Sequence, residues 1–116
     1  AAATAHDLLA RLAVVPLVLE ARGLDVTPGM IRRLERAGDP DSAAILDRIY
    51  LDEIGHVAVG ARWFAQLCRK RGLDPAAAFQ AKVRRYFVGA LKPPFNRPAR
   101  DAAGLPAEFY APLAAG

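Results

Sequence analysis

The feature that most constrains this chain is one uninterrupted helical pattern bracketed by explicit start and stop signals. Asp39-Pro40-Asp41-Ser42 opens it. Asp39 can cap, Pro40 suits a first turn where its missing N–H costs nothing, and Asp41 complements the positive end of the helix dipole. Arg69-Lys70-Arg71 before Gly72 closes it, with cations at the negative end and a glycine suited to a left-handed cap. A helix of this length needs other helices against its apolar face. β-Branched residues are scattered and show no alternating runs, so the expected class is all-α, as a helix bundle.

Stepping along this helix by threes and fours gives Leu46, Ile49, Glu53, His56, Gly60, Trp63 and Leu67. That is a bundle seam with two polar residues in its middle. An unpaired carboxylate facing a core costs several kcal/mol (~3–5), so something must compensate it. A metal ion does so, because residues three apart share a helix face and Glu53 and His56 can reach one centre. Bundles with dinuclear iron or manganese use this Glu-x-x-His spacing, together with single glutamates from other helices. A buried Glu–His ion pair, or pairing of the carboxylate with Arg22 or Arg48, is the competing reading.

Other elements follow from similar punctuation. A first helix is expected from about Thr4 to Arg22, capped at Gly23 and bent by Pro16. Its inward positions Leu9, Ala13, Pro16 and Glu20 place Glu20 in phase with an apolar stripe, as a third candidate ligand. Leu24 to Thr27 reads as a connection, and Thr27-Pro28 as the start of a brief helix ending at Gly38. Asp74-Pro75 starts another helix, expected to reach about Leu91. From Lys92 onward, Pro93, Pro94, Pro98, Pro106 and Pro112 predict an extended arm over 92–116, anchored by Phe95, Phe109 and Tyr110. The organisation is therefore a helical part, 1–91, and an arm.

Around the candidate ligands, Tyr50 lies one turn before Glu53, where it either hydrogen-bonds near a metal or packs. Asp52 sits on the seam's flank, behind the ligands or in solvent. His6, about 20 Å along the helix from Glu20, cannot share the site. Gly55 and Gly60 weaken the helix and point to close approach of a neighbour. Cys68, the single cysteine of the 116 residues, sits among Phe64, Ala65 and Leu67 as a core residue. It excludes an intrachain disulfide and fits a reducing compartment.

The composition, 53% hydrophobic and 24% charged, is globular. The net charge of +4 is spread as arginines over several segments and reads as solvated helix surface, no nucleic-acid reader motif accompanying it. Leu12 to Leu19 contains Pro16 and is too short to span a bilayer. With no basic region ahead of an apolar one, a cytoplasmic location without membrane attachment is expected. Ala1-Ala2-Ala3-Thr4 reads as the middle of an element, as in a piece of a longer chain.

The runs Leu19-Glu20-Ala21-Arg22-Gly23-Leu24-Asp25-Val26-Thr27-Pro28 and Asp52-Glu53-Ile54-Gly55-His56-Val57-Ala58-Val59-Gly60, with Lys92-Pro93-Pro94-Phe95-Asn96 and Glu108-Phe109-Tyr110, resemble the bacterial ferritin-like domain-of-unknown-function family 455. The resemblance implies a ferritin-like four-helix bundle with a dinuclear iron or manganese carboxylate centre. Glu20 then matches the third helix's single glutamate, and Glu53 and His56 the fourth helix's pair. The first helix pair, with its own glutamate and Glu-x-x-His, has no counterpart here. A half-bundle is therefore expected, completed by a second copy or by a missing N-terminal half. An oxidase or oxygenase of open substrate is the implied function. A non-catalytic scaffold retaining a partial site and a basic nucleic-acid-associated protein are the alternatives.

Overall fold

A computed structural model describes Thr4 and residues 6–115. The expectations placed on Ala1-Ala2-Ala3 lie outside the described residues. Helix α1 spans Leu8–Val14 and continues through a π-helical segment, Val15–Glu20, into α2, Ala21–Arg36. Helix α3 spans Pro40–Lys70, α4 Pro75–Tyr86, α5 Arg97–Ala102 and α6 Ala107–Tyr110, with a 3₁₀ turn at Ala111–Leu113. The chain is all-α among the described residues, apart from one isolated bridge between Leu91 and Ala114.

Local capping sets most boundaries. Asp7 accepts from Ala10 N at 2.9 Å, so α1 starts there and not at Thr4. Asp39 accepts from Ser42 N at 3.1 Å and Asp74 from Ala77 N at 2.9 Å, as their sequence positions predict. Gly38 and Gly72 close α2 and α3 with φ of 79° and 68°.

The stop at Gly23 and the restart at Thr27-Pro28 do not occur: α2 runs through both. Pro28 has no N–H for the carbonyl four residues back, which is Leu24 O. That oxygen instead accepts from Asn96 Nδ2 at 3.0 Å, so a distant side chain repairs the interruption. Pro16 produces a π-helical turn, closed by Ala21 N on Pro16 O, in place of a simple bend. Helix α4 stops at Tyr86, short of Leu91, because Phe87 is extended and Gly89 takes φ 94°.

The arm is not extended throughout. Asn96 Oδ1 caps α5 through Ala99 N at 3.3 Å, and α6 follows Pro106. It packs across its own bundle: Ala99, Ala103, Leu105, Tyr110 and Leu113 join Leu9, Leu17, Val57, Phe64, Phe79 and Val83 in one core cluster. Phe64 and Phe79 meet edge to face at 6.2 Å, and Cys68 is buried there as expected. Lys82 Nζ on Asp7 Oδ2, 2.6 Å, ties α4 to the start of α1 and holds the Asp7 carboxyl below its ordinary pKa.

The seam expected to face inward proves to be a second face of α3. The buried stripe is Ala43, Val57, Gly60, Phe64 and Cys68, with Tyr50, Ile54 and Ala61 packed beside it. Ile49 and Trp63 are 54% and 60% exposed, so of the seven seam positions only Gly60 is buried. Helix α3 is covered on one side by α1 and α2, and the Ile45, Ile49 and Trp63 side chains of its adjoining apolar stripe stay exposed. No helix among the described residues is long and apolar enough to cross a membrane.

Candidate functional site

The π-helical segment and α3 cross at Gly60. A Cβ there would lie 2.6 Å from Pro16 Cβ and 2.7 Å from Pro16 Cγ, so only glycine permits the contact. Gly55 has nothing within 4 Å of such a Cβ and plays no comparable part. Two helical turns from Gly60, the antiparallel crossing brings Glu20, the last residue of the π segment, against Glu53 and His56.

The π turn also decides where Glu20 points. The buried stripe of the first helix runs Leu9, Ala13, Leu17, Ala21 and Leu24, spaced by fours until its last step. The wider turn carries Glu20 out of that stripe to an exposed rim, which corrects the inward placement read from threes and fours.

The crossing nevertheless sets Glu20 beside Glu53, and Glu53 beside His56. His56 Nδ1 lies 3.4 Å from Glu53 Oε2, a long contact. The imidazole side chain is 67% exposed and the Glu53 side chain 25%. The Glu20 pKa is raised, first by desolvation, then by the charge of Glu53 and hydrogen bonding with it, while His56 pulls the other way. Glu53 Oε1 is buried and, among the described residues, accepts from no N–H or hydroxyl group. A carboxylate oxygen in that state requires a proton, shared with Glu20, or a cation.

Arginine does not supply it. Arg22 Nη1 donates to Lys92 O at 2.7 Å and lies 3.8 Å from Asp25, and among the described residues no ion pair joins Arg22 or Arg48 to Glu20 or Glu53. Two carboxyls and an imidazole are donors suited to iron, manganese or zinc. As they stand, Glu20, Glu53 and His56 do not form a group that could hold a metal ion, and no other three His, Cys, Asp or Glu side chains among the described residues do. Asp52 and His6 are exposed. The Tyr50 hydroxyl accepts from Asn96 Nδ2 at 2.7 Å and so takes part in packing the arm.

A second polar cluster escaped the sequence reading. Asp25 Oδ1 accepts from Arg100 Nε at 2.9 Å and Asn96 N at 2.8 Å, and Asp25 Oδ2 from Arg100 Nη2 at 2.6 Å. Both side chains are almost wholly buried, at 1% and 3% exposure. The residues lie 75 apart, and only the inclusion of Asp25 and Asn96 in family-like runs hinted at them.

The family model described as "Protein of unknown function (DUF455)" matches residues 1–111. A protein of Haemophilus influenzae, described as uncharacterised, is 45% identical over 105 residues, covering 90% of this chain. The chain spans 36% of that relative's length. No solved structure matches it.

Proposed function

The chain belongs to the DUF455 family, and we propose that Glu20, Glu53 and His56 form one side of a carboxylate-bridged metal centre whose other donors come from outside this chain. The observation that carries the reading is the buried Glu53 Oε1, which no N–H or hydroxyl among the described residues reaches, with a second carboxyl and an imidazole beside Glu53. The donor types fit iron or manganese, and their helix spacing is that of a ferritin-like half-site. The exposed apolar stripe around them, Ile45, Ile49 and Trp63, is where covering helices would bring the remaining donors. Those helices belong to a second copy or to further chain, in keeping with the 36% share of the relative.

In this arrangement Glu53 reaches from the half-buried side of α3 and His56 closes the solvent side. Glu20, whose carboxyl lies above its ordinary pKa beside Glu53, would be held ionised once a cation is bound. A dinuclear centre would supply redox chemistry toward an oxygen species or an organic substrate. The covering helices would exclude water from it, and Gly60 against Pro16 fixes the separation of the two helices that carry the donors.

The test is metal content measured together with oligomeric mass, on the wild type and on Glu53→Ala and His56→Ala. Iron or manganese near stoichiometry in an assembled species, lost in both variants, is the expected result. A metal-free assembly whose variants are no less stable would overturn the reading and leave a proton-sharing carboxyl pair on a scaffold.

A further inference from the structure

A cavity of about 470 Å³ opens between the π-helical segment, the start of α2 and the 87–92 loop, away from the Glu20–Glu53 pair. Its walls are apolar, with Leu17, Leu19, Phe87 and Leu91 among them. Its polar lining is Arg22, Asp25, Lys92 and Arg100. Asp25 and Arg100 are buried and mark the deep end, while Arg22 and Lys92 are at the open side.

Three cations against one anion leave a surplus of two positive charges in a mostly apolar space. The Asp25 carboxylate is already saturated by Arg100, the Asn96 amide and nearby Arg22. The Arg100 guanidinium is held in place, with Cζ 5.0 Å from the Phe95 ring centre and 4.4 Å from that of Tyr110. Its Nη1 is buried and has no acceptor among the described residues. The surplus of positive charge from Arg22, Lys92 and Arg100 calls for an anionic group in the cavity. The apolar walls call for a hydrocarbon body attached to it.

We propose that this cavity binds a small amphipathic carboxylate, its head held by the positive charges of Arg22, Lys92 and Arg100, and its hydrocarbon chain along Leu17, Leu19, Phe87 and Leu91. The inference is independent of the metal reading. The 87–92 loop that forms one wall is pinned by Leu91 N on Leu113 O, 3.0 Å, and Ala115 N on Leu91 O, 2.8 Å, so the cavity is already formed without ligand.

The purified protein is titrated with decanoate below its micelle concentration, with decanol and acetate in parallel, and followed by thermal unfolding and calorimetry. Decanoate at about tenfold its Kd is expected to raise Tm by about 5 °C, and neither decanol nor acetate should match it. Lys92→Glu and Ala90→Trp, both at exposed positions of the lining, are expected to weaken decanoate binding at least tenfold without lowering the ligand-free Tm. Arg100→Lys, which folds less stably, is read by calorimetry at low temperature and should also lose binding. Equal shifts with decanol, no shift with decanoate, or unchanged affinity in Lys92→Glu and Ala90→Trp would each overturn the proposal.

Discussion

Glu20 and Glu53 oppose two carboxyl groups across a helix crossing, and the effect on stability has a definite sign. The folded pKa of Glu20 lies above its ordinary 4.5, so the folded chain holds this proton to higher pH than the unfolded chain does. Stability is therefore lost as pH rises through the folded value, a loss that belongs to the ionised Glu20 carboxylate. Glu20→Gln removes it. In metal-free protein this variant should unfold at higher temperature than the wild type at pH 7, with the difference vanishing below pH 4.5. Because Glu20 is in contact with solvent, screening holds the gain to about 0.5 kcal/mol or less. With metal bound the sign reverses, since a ligand has been deleted. Gly60 and Gly55 make a second paired test at this scale. Gly60→Ala drives a methyl into Pro16 and should cost about 2 kcal/mol, whereas Gly55→Ala, in open space, should gain about 0.5–1 kcal/mol from helix propensity alone. Chemical denaturation of both variants measures the contrast, and equal effects would mean the crossing is not close.

Among the elements, the boundaries legible in the sequence are those settled by local chemistry. Asp39, Asp74, Gly38 and Gly72 act within three residues of themselves, so spacing alone located them. Thr27-Pro28 carries the same signature as Asp74-Pro75 and behaves differently, because Asn96, far along the chain, occupies the carbonyl that Pro28 leaves free. No window of neighbouring residues contains that information. The arm was misread for a related reason: its prolines forbid a long helix but allow the short ones that Asn96 and Pro106 begin. The Asp25–Arg100 pair makes this docking energetically decisive. Asp25→Ala leaves a guanidinium buried without its carboxylate and should cost about 3–5 kcal/mol, while Asp25→Leu combined with Arg100→Met should recover much of it. Equilibrium unfolding of the single and double variants measures this. Additive losses would show that the two residues do not act as a pair.

At the scale of the whole molecule, the radius of gyration of 15.0 Å exceeds the roughly 13 Å expected of a compact chain this long. The longest extent is 50 Å, and α3, with 31 residues, spans about 46 Å of rise. The heptad-like spacing of the seam marks an apolar stripe, but that stripe is not the face that α3 turns to the core of this chain. Periodicity reports that a face is apolar, not which element covers it. Here the chain's own core is built on the neighbouring face of α3, through Val57, Phe64 and Cys68, and leaves Ile49 and Trp63 of the seam outside. An apolar stripe flanking a carboxylate pair is then free to associate, and the wild type should show a mass that rises with concentration in sedimentation. Ile49→Lys with Trp63→Glu replaces two side chains that touch little of the chain's own core, so the fold should survive, by circular dichroism, while self-association falls at least tenfold. If the metal centre is completed by the same contact, this variant also loses metal although Glu20, Glu53 and His56 are intact. A wild type that stays monomeric at all concentrations would place the covering helices in further chain instead, and the same two substitutions would then weaken binding of that segment.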